Sequence, residues 1–183
     1  NVRIVCSLCY TYGAYFNQCF GFLVLDVFML MSEWFTGSGE RVNFDEIIEI
    51  IREHNSQKGT VYVGTDSMIT KAKCVFCTAI CLLGETDFTN RYFVKRINTE
   101  VEQFNTLLQR ITMEVQDSID MGLKIVDYCP DVKIELHLDI SKSSHKTAKF
   151  ADMLIGYAKG SGFDCKVKPD AFAAYCIADK HSK

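Results

Sequence analysis

Hydrophobic residues along the chain change period several times, and each change marks an element. Phe44, Ile47, Ile48 and Ile51 recur at helical spacing. Asn43 stands where an N-cap belongs, with Glu46 three residues later, so the spacing predicts a short helix from Phe44 to His54. Thr60 to Val63 alternates as a strand and runs into Gly64-Thr65-Asp66-Ser67. Lys73 to Leu83 is β-rich, and Arg91 to Ile97 is a further strand, so three strands joined by short turns should form an antiparallel meander. Leu107, Leu108, Ile111, Val115 and Ile119 then lie on one stripe of a long helix. Thr106 with Gln109 makes a capping box at its start, in competition with the pair Thr99 and Glu102. Beyond Pro130 the pattern predicts a strand from Val132 to Ile140, a helix from Lys146 to Lys159, a strand from Phe163 to Lys168, and a last helix from Asp170 to Ala178 entered through Pro169.

After Gly59 this is the order βββαβαβα, an α/β pattern. Right-handed crossovers make the first, fourth and fifth strands parallel, with the second antiparallel beside the first. The expected sheet is mixed and five-stranded, in the order 3-2-1-4-5, with flanking helices. Its connections leave the first and fourth strands toward opposite edges, which opens a crevice at their carboxyl ends. Asp66 ends the first strand, Asp139 lies near the end of the fourth, and Asp170 arrives at the start of the helix after the fifth. Three converging carboxylates repel one another unless a cation neutralises them. Hard oxygen ligands suit Mg²⁺ or Mn²⁺, and an ion pair of this kind stabilises both oxygens of a phosphodiester cleavage. The expected metal ligands are therefore Asp66, Asp139 and Asp170. Each of them has an alternative as a turn or helix cap, Asp170 above all. His137 and Asp139, two apart on a strand, face the same way, so His137 either lines the crevice or packs beneath a helix.

Composition narrows the function classes. With 183 residues, 48% of them hydrophobic, the chain suits one ordinary domain. A net charge of −3 argues against a surface coated in positive charge. The balance is uneven, since residues from Ser141 onward hold eight Lys and four Asp, a local +4, which leaves −7 for the first 140. A phosphate-facing surface is therefore expected in the last third, although a solvated lysine face explains the same residues. Nine cysteines sit mostly inside apolar runs and read as free, buried thiols of a cytoplasmic protein. Two C-x-x-C spacings, Cys6 with Cys9 and Cys74 with Cys77, would supply four zinc thiolates, but Cys74 and Cys77 fall on a strand, where positions three apart face opposite sides.

Residues 1–30 differ from the rest. They are rich in aromatics and cysteine, and their apolar run from Phe20 to Met31 is interrupted by Asp26 and too short to span a bilayer. They read as an upstream or non-native extension, with a membrane-associated or core-packing helix as the alternative. Residues 31–59 are then an N-terminal helical segment, and 60–183 the main domain.

Four pieces carry a resemblance: Gly64-Thr65-Asp66-Ser67, His137-Leu138-Asp139-Ile140, Lys168-Pro169-Asp170-Ala171 and the closing Asp179-Lys180-His181-Ser182-Lys183. In this order they resemble the YkuK-like family, a bacterial group with a ribonuclease H-like fold. Met68 departs from the pattern where a Gln is expected after the Ser, and residues 1–30 match nothing in the family. The resemblance implies a metal-dependent nuclease acting on RNA, DNA or a hybrid, with a Glu from the long helix completing the catalytic set. Glu114 is the expected residue and Glu102 its runner-up. Ser67, His137, Lys142, Lys168 and His181 are the candidate substrate-binding residues, whereas His145 reads as loop surface. Two other functions fit the same fold. One is a non-catalytic module that holds nucleic acid with Lys142, Lys146 and Lys149; the other is a small-molecule phosphohydrolase.

Overall fold

The computed structural model describes residues 33–84, 90–104, 106–143 and 146–183. The proposed extension over residues 1–30, the Cys6–Cys9 pair and His145 lie outside the described residues. Trp34–Thr36 (β1) and Arg41–Val42 (β2) precede a helix, Phe44–Ser56 (α1). Thr60–Ile69 (β3), Lys73–Leu83 (β4) and Arg91–Glu100 (β5) form the meander, followed by a 3₁₀ turn at Val101–Gln103 and the long helix Leu107–Tyr128 (α2). Ile134–Leu138 (β6), a 3₁₀ turn at Ala148–Phe150, Ala151–Gly160 (α3) and Asp164–Val167 (β7) come next. The chain closes with a π-helical stretch, Ala173–Ala178, that continues into Asp179–Ser182 (α4).

Both helix starts are built from their own sequence. The Asn43 side chain accepts the Glu46 N–H, and the Glu46 carboxylate accepts the Asn43 N–H in return. Thr106 and Gln109 repeat this exchange at the head of α2. Thr99 lies within β5 and pairs with Cys74, while Glu102 falls in the 3₁₀ turn, so the helix begins at the later of the two boxes.

The sheet corrects the expected one. It has seven strands rather than five, in the order β2-β1-β5-β4-β3-β6-β7: the five expected strands keep their 3-2-1-4-5 order as β5-β4-β3-β6-β7, and β1 and β2 extend the sheet beyond β5. The segment expected to be only helical, 31–59, also supplies β1 and β2. Three residues of β1 and two of β2 are too few to show an alternation. They become strands because β5 offers an edge: Trp34, Phe35 and Thr36 pair antiparallel with Lys95, Val94 and Phe93. β3 pairs antiparallel with β4 and parallel with β6, and β6 pairs parallel with β7.

β3 is covered on both faces, which sets the character of each of its residues. Its odd positions face α2, where Thr65 Oγ1 accepts from the Ser118 hydroxyl and Ser67 donates to Glu114. The buried Ile111, Val115, Ile119 and Ile125 of α2 belong to this layer. Fully burying each such side chain contributes about 2 kcal/mol. The even positions face the C-terminal π-helix, and here Gly64 is required by contact. A Cβ at Gly64 would stand 2.7 Å from the Ala174 backbone nitrogen and 2.8 Å from the His137 carbonyl oxygen. That face also holds an apolar cluster of Cys77, Ala79, Cys81, Val94, Ala173 and Ala178. No helix among the described residues is long and apolar enough to cross a membrane.

Candidate active site

The parallel register of β3 and β6 ends with Thr65 opposite Leu138. The next residue of each strand line is a carboxylate, Asp66 on one and Asp139 on the other. Side chains paired across a parallel ladder share a face, and so do residues two apart, which puts Asp66, Asp139 and His137 on the side of the C-terminal helix. Asp66 is buried and its Oδ2 accepts from the Ser182 hydroxyl at 3.2 Å. Burial first, and then the charges of Asp139 and Asp179, push its pKa from 3.8 up to about 6, against the pull of the Ser182 hydrogen bond. Asp139 has its Oδ1 atom fully buried without a hydrogen-bond partner. The Lys168 ammonium stands 2.5 Å from that oxygen, a charge contact whose approach is not aligned for a hydrogen bond.

Glu114 enters the same strand end from the α2 face. It is buried, accepts from the Ser67 hydroxyl at 2.6 Å, and lies 3.9 Å from Arg110. Burial raises its pKa from 4.5 to about 8, and the charges of Asp66 and Asp139 act in the same direction. Glu114 thus keeps its proton at neutral pH. Arg110 ties the arrangement together, donating to the Ser67 carbonyl at 2.7 Å and to its hydroxyl at 3.1 Å.

The remaining candidates lie at varying distance from this centre. Asp170 follows β7 in the turn entered through Lys168–Pro169, its N–H bonded to the Val167 carbonyl, and its charge acts on His137 and Lys166. His137 is 1% exposed; its Nδ1 accepts the Ala173 N–H and its ring packs edge-on against Phe172. This is the packed alternative of the two open for that residue. Burial lowers its pKa, so it is neutral at pH 7. His181 lies in α4 with its ring 5.7 Å from that of Tyr92 and its Nε2 3.3 Å from the Tyr92 hydroxyl. Lys142 is exposed, and its charge acts on Cys165 in β7.

Three contributors were not singled out from sequence. Asp179 acts on Asp66 and is paired with Lys183 at 2.7 Å; Ser182 bonds Asp66 directly; Arg110 sits one turn before Glu114. Asp179 and Ser182 belong to the closing motif, and the i, i+4 spacing of Arg110 and Glu114 was a usable signal. Cys74, Cys77, Cys81, Cys129, Cys165 and Cys176 are free. Cys74 feels Arg110 and Glu114 on the α2 face, whereas Cys77 feels Asp66 on the other.

Among the described residues no three His, Cys, Asp or Glu side chains are grouped tightly enough to hold a metal ion by themselves. The chemistry of the pair nevertheless fits a hard divalent cation. Asp66 and Asp139 are adjacent, the charge of Asp139 raises the cost of ionising Asp66, and the buried Asp139 Oδ1 makes no hydrogen bond beyond its charge contact with Lys168. Mg²⁺ is ordinarily held by one or two carboxylates with water and substrate phosphate completing its shell, so two suffice.

The Ribonuclease H-like family profile matches residues 43–183. Over 163 residues the chain is 23% identical to the "Uncharacterized protein YkuK" of Bacillus subtilis (strain 168), an overlap of 80% of this chain and 94% of that protein. No solved structure matches the chain.

Proposed function

We propose that this chain, which belongs to the ribonuclease H-like family and within it to the YkuK-like group, is a metal-dependent nuclease that hydrolyses phosphodiester bonds in RNA, DNA or a hybrid. The observation that carries this reading is the convergence of Asp66 and Asp139 at the carboxyl ends of adjacent parallel strands, with Glu114 buried behind them. A Mg²⁺ or Mn²⁺ ion held by Asp66 and Asp139 would supply electrostatic stabilisation of the attacking and leaving oxygens. Asp179 takes, in this reading, the third place that the sequence assigned to Asp170. Ser182 orients Asp66, and Arg110 with Ser67 holds Glu114. Glu114 retains a proton near pH 7, which suits it to give one to a departing oxygen. Lys168, 40% exposed and resting on Asp139, is placed to pair with a phosphate oxygen of the substrate.

The test is a panel of labelled single-stranded, duplex and hybrid oligonucleotides incubated with Mg²⁺, Mn²⁺ or EDTA. Cleavage that needs metal and disappears in Asp66→Asn supports the reading; no cleavage of any substrate overturns it. A second reading, a non-catalytic nucleic-acid-binding module, is favoured by the internal partners that the acids already have, Lys168 on Asp139 and Ser182 on Asp66. Mn²⁺ titration followed by melting temperature separates the two. A nuclease gains stability from the ion and loses that gain in Asp139→Asn, whereas the binding module shows neither effect.

A further inference from the structure

A groove of about 720 Å³ runs between the first turn of α2 and the segment leading into α3. Leu107, Leu108 and Phe150 form an apolar floor, and Lys146 and Lys149 line it as well. The three apolar side chains are half-buried and both lysines exposed. The groove's two walls are anchored at the same end of the sheet as the carboxylates. Arg110, one turn into α2, bonds the Ser67 carbonyl, and the Thr147 hydroxyl accepts the N–H of Ser141, two residues beyond Asp139.

We propose that this groove binds single-stranded nucleic acid leading to the carboxylate pair, with an unpaired base against Phe150 and the adjoining phosphates on Lys146 and Lys149. The inference rests on the nuclease reading for its direction and adds the substrate class. Charge complementarity selects a polyanion, because both charged groups lining the groove are cationic. The apolar floor selects an anion that also carries flat hydrophobic faces, and the volume is that of a cleft for a small organic group. Lys149 Nζ stands over the Phe150 ring, 4.7 Å from its centroid, so a base would take that face while its phosphate draws the flexible ammonium aside. A duplex hides its base faces inside the helix and offers the ring only sugar and phosphate. An unpaired strand offers both the face and the charge.

The experiment is fluorescence anisotropy in EDTA, so that no cleavage is required, with labelled oligo-dT, oligo-U and their complementary duplexes. The parent protein should bind the single strands more tightly than the duplexes; the two oligomers separate DNA from RNA. Phe150→Leu keeps the apolar volume and removes the stacking face, and should weaken single-strand binding by about tenfold with little effect on duplex binding. Lys146→Gln with Lys149→Gln should lower the slope of log affinity against log salt by roughly 0.7 for each phosphate no longer neutralised. Equal affinity for single strand and duplex, or parent-like single-strand binding by a Phe150→Leu protein of unchanged circular dichroism, overturns the proposal. Failure of the nuclease reading is distinguishable, because it removes cleavage in Mg²⁺ and leaves these binding results intact. Groove variants that bind like the parent while cleavage persists sink only the groove.

Discussion

Glu114 and Asp117 lie one turn apart on α2, and burial pushes the pKa of both far up, to about 8 and about 7. Their neighbours differ in sign. Glu114 faces further acids, Asp66 and Asp139, with Arg110 at 3.9 Å as its nearby cation. Asp117 feels the cation Lys95 before the acid Asp120; Lys95 is a buried β5 lysine whose own pKa burial lowers from 10.5 to about 8 and whose ammonium lies 5.5 Å from the Trp34 ring centroid. An acid near a buried base has part of its burial cost offset by the opposite charge. An acid gathered with other acids costs stability and is tolerated where it serves chemistry. Burial alone therefore does not mark a site, while the sign of the surroundings does.

The contrast breaks most sharply by removing one acid from the first cluster. Asp66→Asn should reduce metal-dependent cleavage by about 10³-fold or more, measured as a single-turnover rate, because the charge that holds the cation is gone while shape and hydrogen bonding persist. A parent-like rate in a pure, folded sample places the chemistry elsewhere.

The corresponding change in the second cluster should act on stability. Lys95→Ala removes the cation that most favours the half-buried Asp117 carboxylate and opens space beside Trp34. A loss of about 2 kcal/mol in denaturant unfolding is expected, with the cleavage rate per folded molecule unchanged. A variant that keeps its stability and loses activity would reverse the two assignments.

The same Asp66→Asn protein sharpens the comparison through pH. The folded-state pKa of Asp66 lies above its unfolded value, so its ionisation disfavours the fold, increasingly as pH rises from about 3.8 to about 6 and fully above that. Asn is free of this cost. The variant should be more stable than the parent by on the order of 2 kcal/mol at pH 8, after allowance for partial solvation, and the two should converge near pH 4. Thermal melts at the two pH values check it, and a gain that is the same at both would discard the electrostatic account.

The smallest effect tests whether α2 carries both clusters as one rigid piece. Thr106→Ala removes the N-cap hydroxyl that accepts from Gln109 and should cost about 1 kcal/mol. Amide exchange should quicken in the first turn, near Arg110, and remain unchanged around Asp117.

Much of this was legible in one dimension, because it depends on residues close in sequence. The capping boxes at Asn43–Glu46 and Thr106–Gln109, the apolar stripe of α2 and the strand that delivers Asp66 follow from spacing and side-chain chemistry alone. The juxtaposition of Asp66 with Asp139 followed from the handedness of the crossover. Tertiary structure decided the rest. Trp34–Thr36 and Arg41–Val42 are strands only because the edge of β5 offers hydrogen-bond partners, which no local pattern encodes. Asp179 rather than Asp170 acts on Asp66, because the π-helix packs against Gly64 and carries the closing residues back over the strand end. Whether His137 lined a crevice or packed under a helix turned on the same contact, since the Ala173 N–H that it receives comes from that helix. Local sequence determines what a segment can form and which face is apolar, but which groups meet depends on how distant segments pack, and that is a property of the assembled chain.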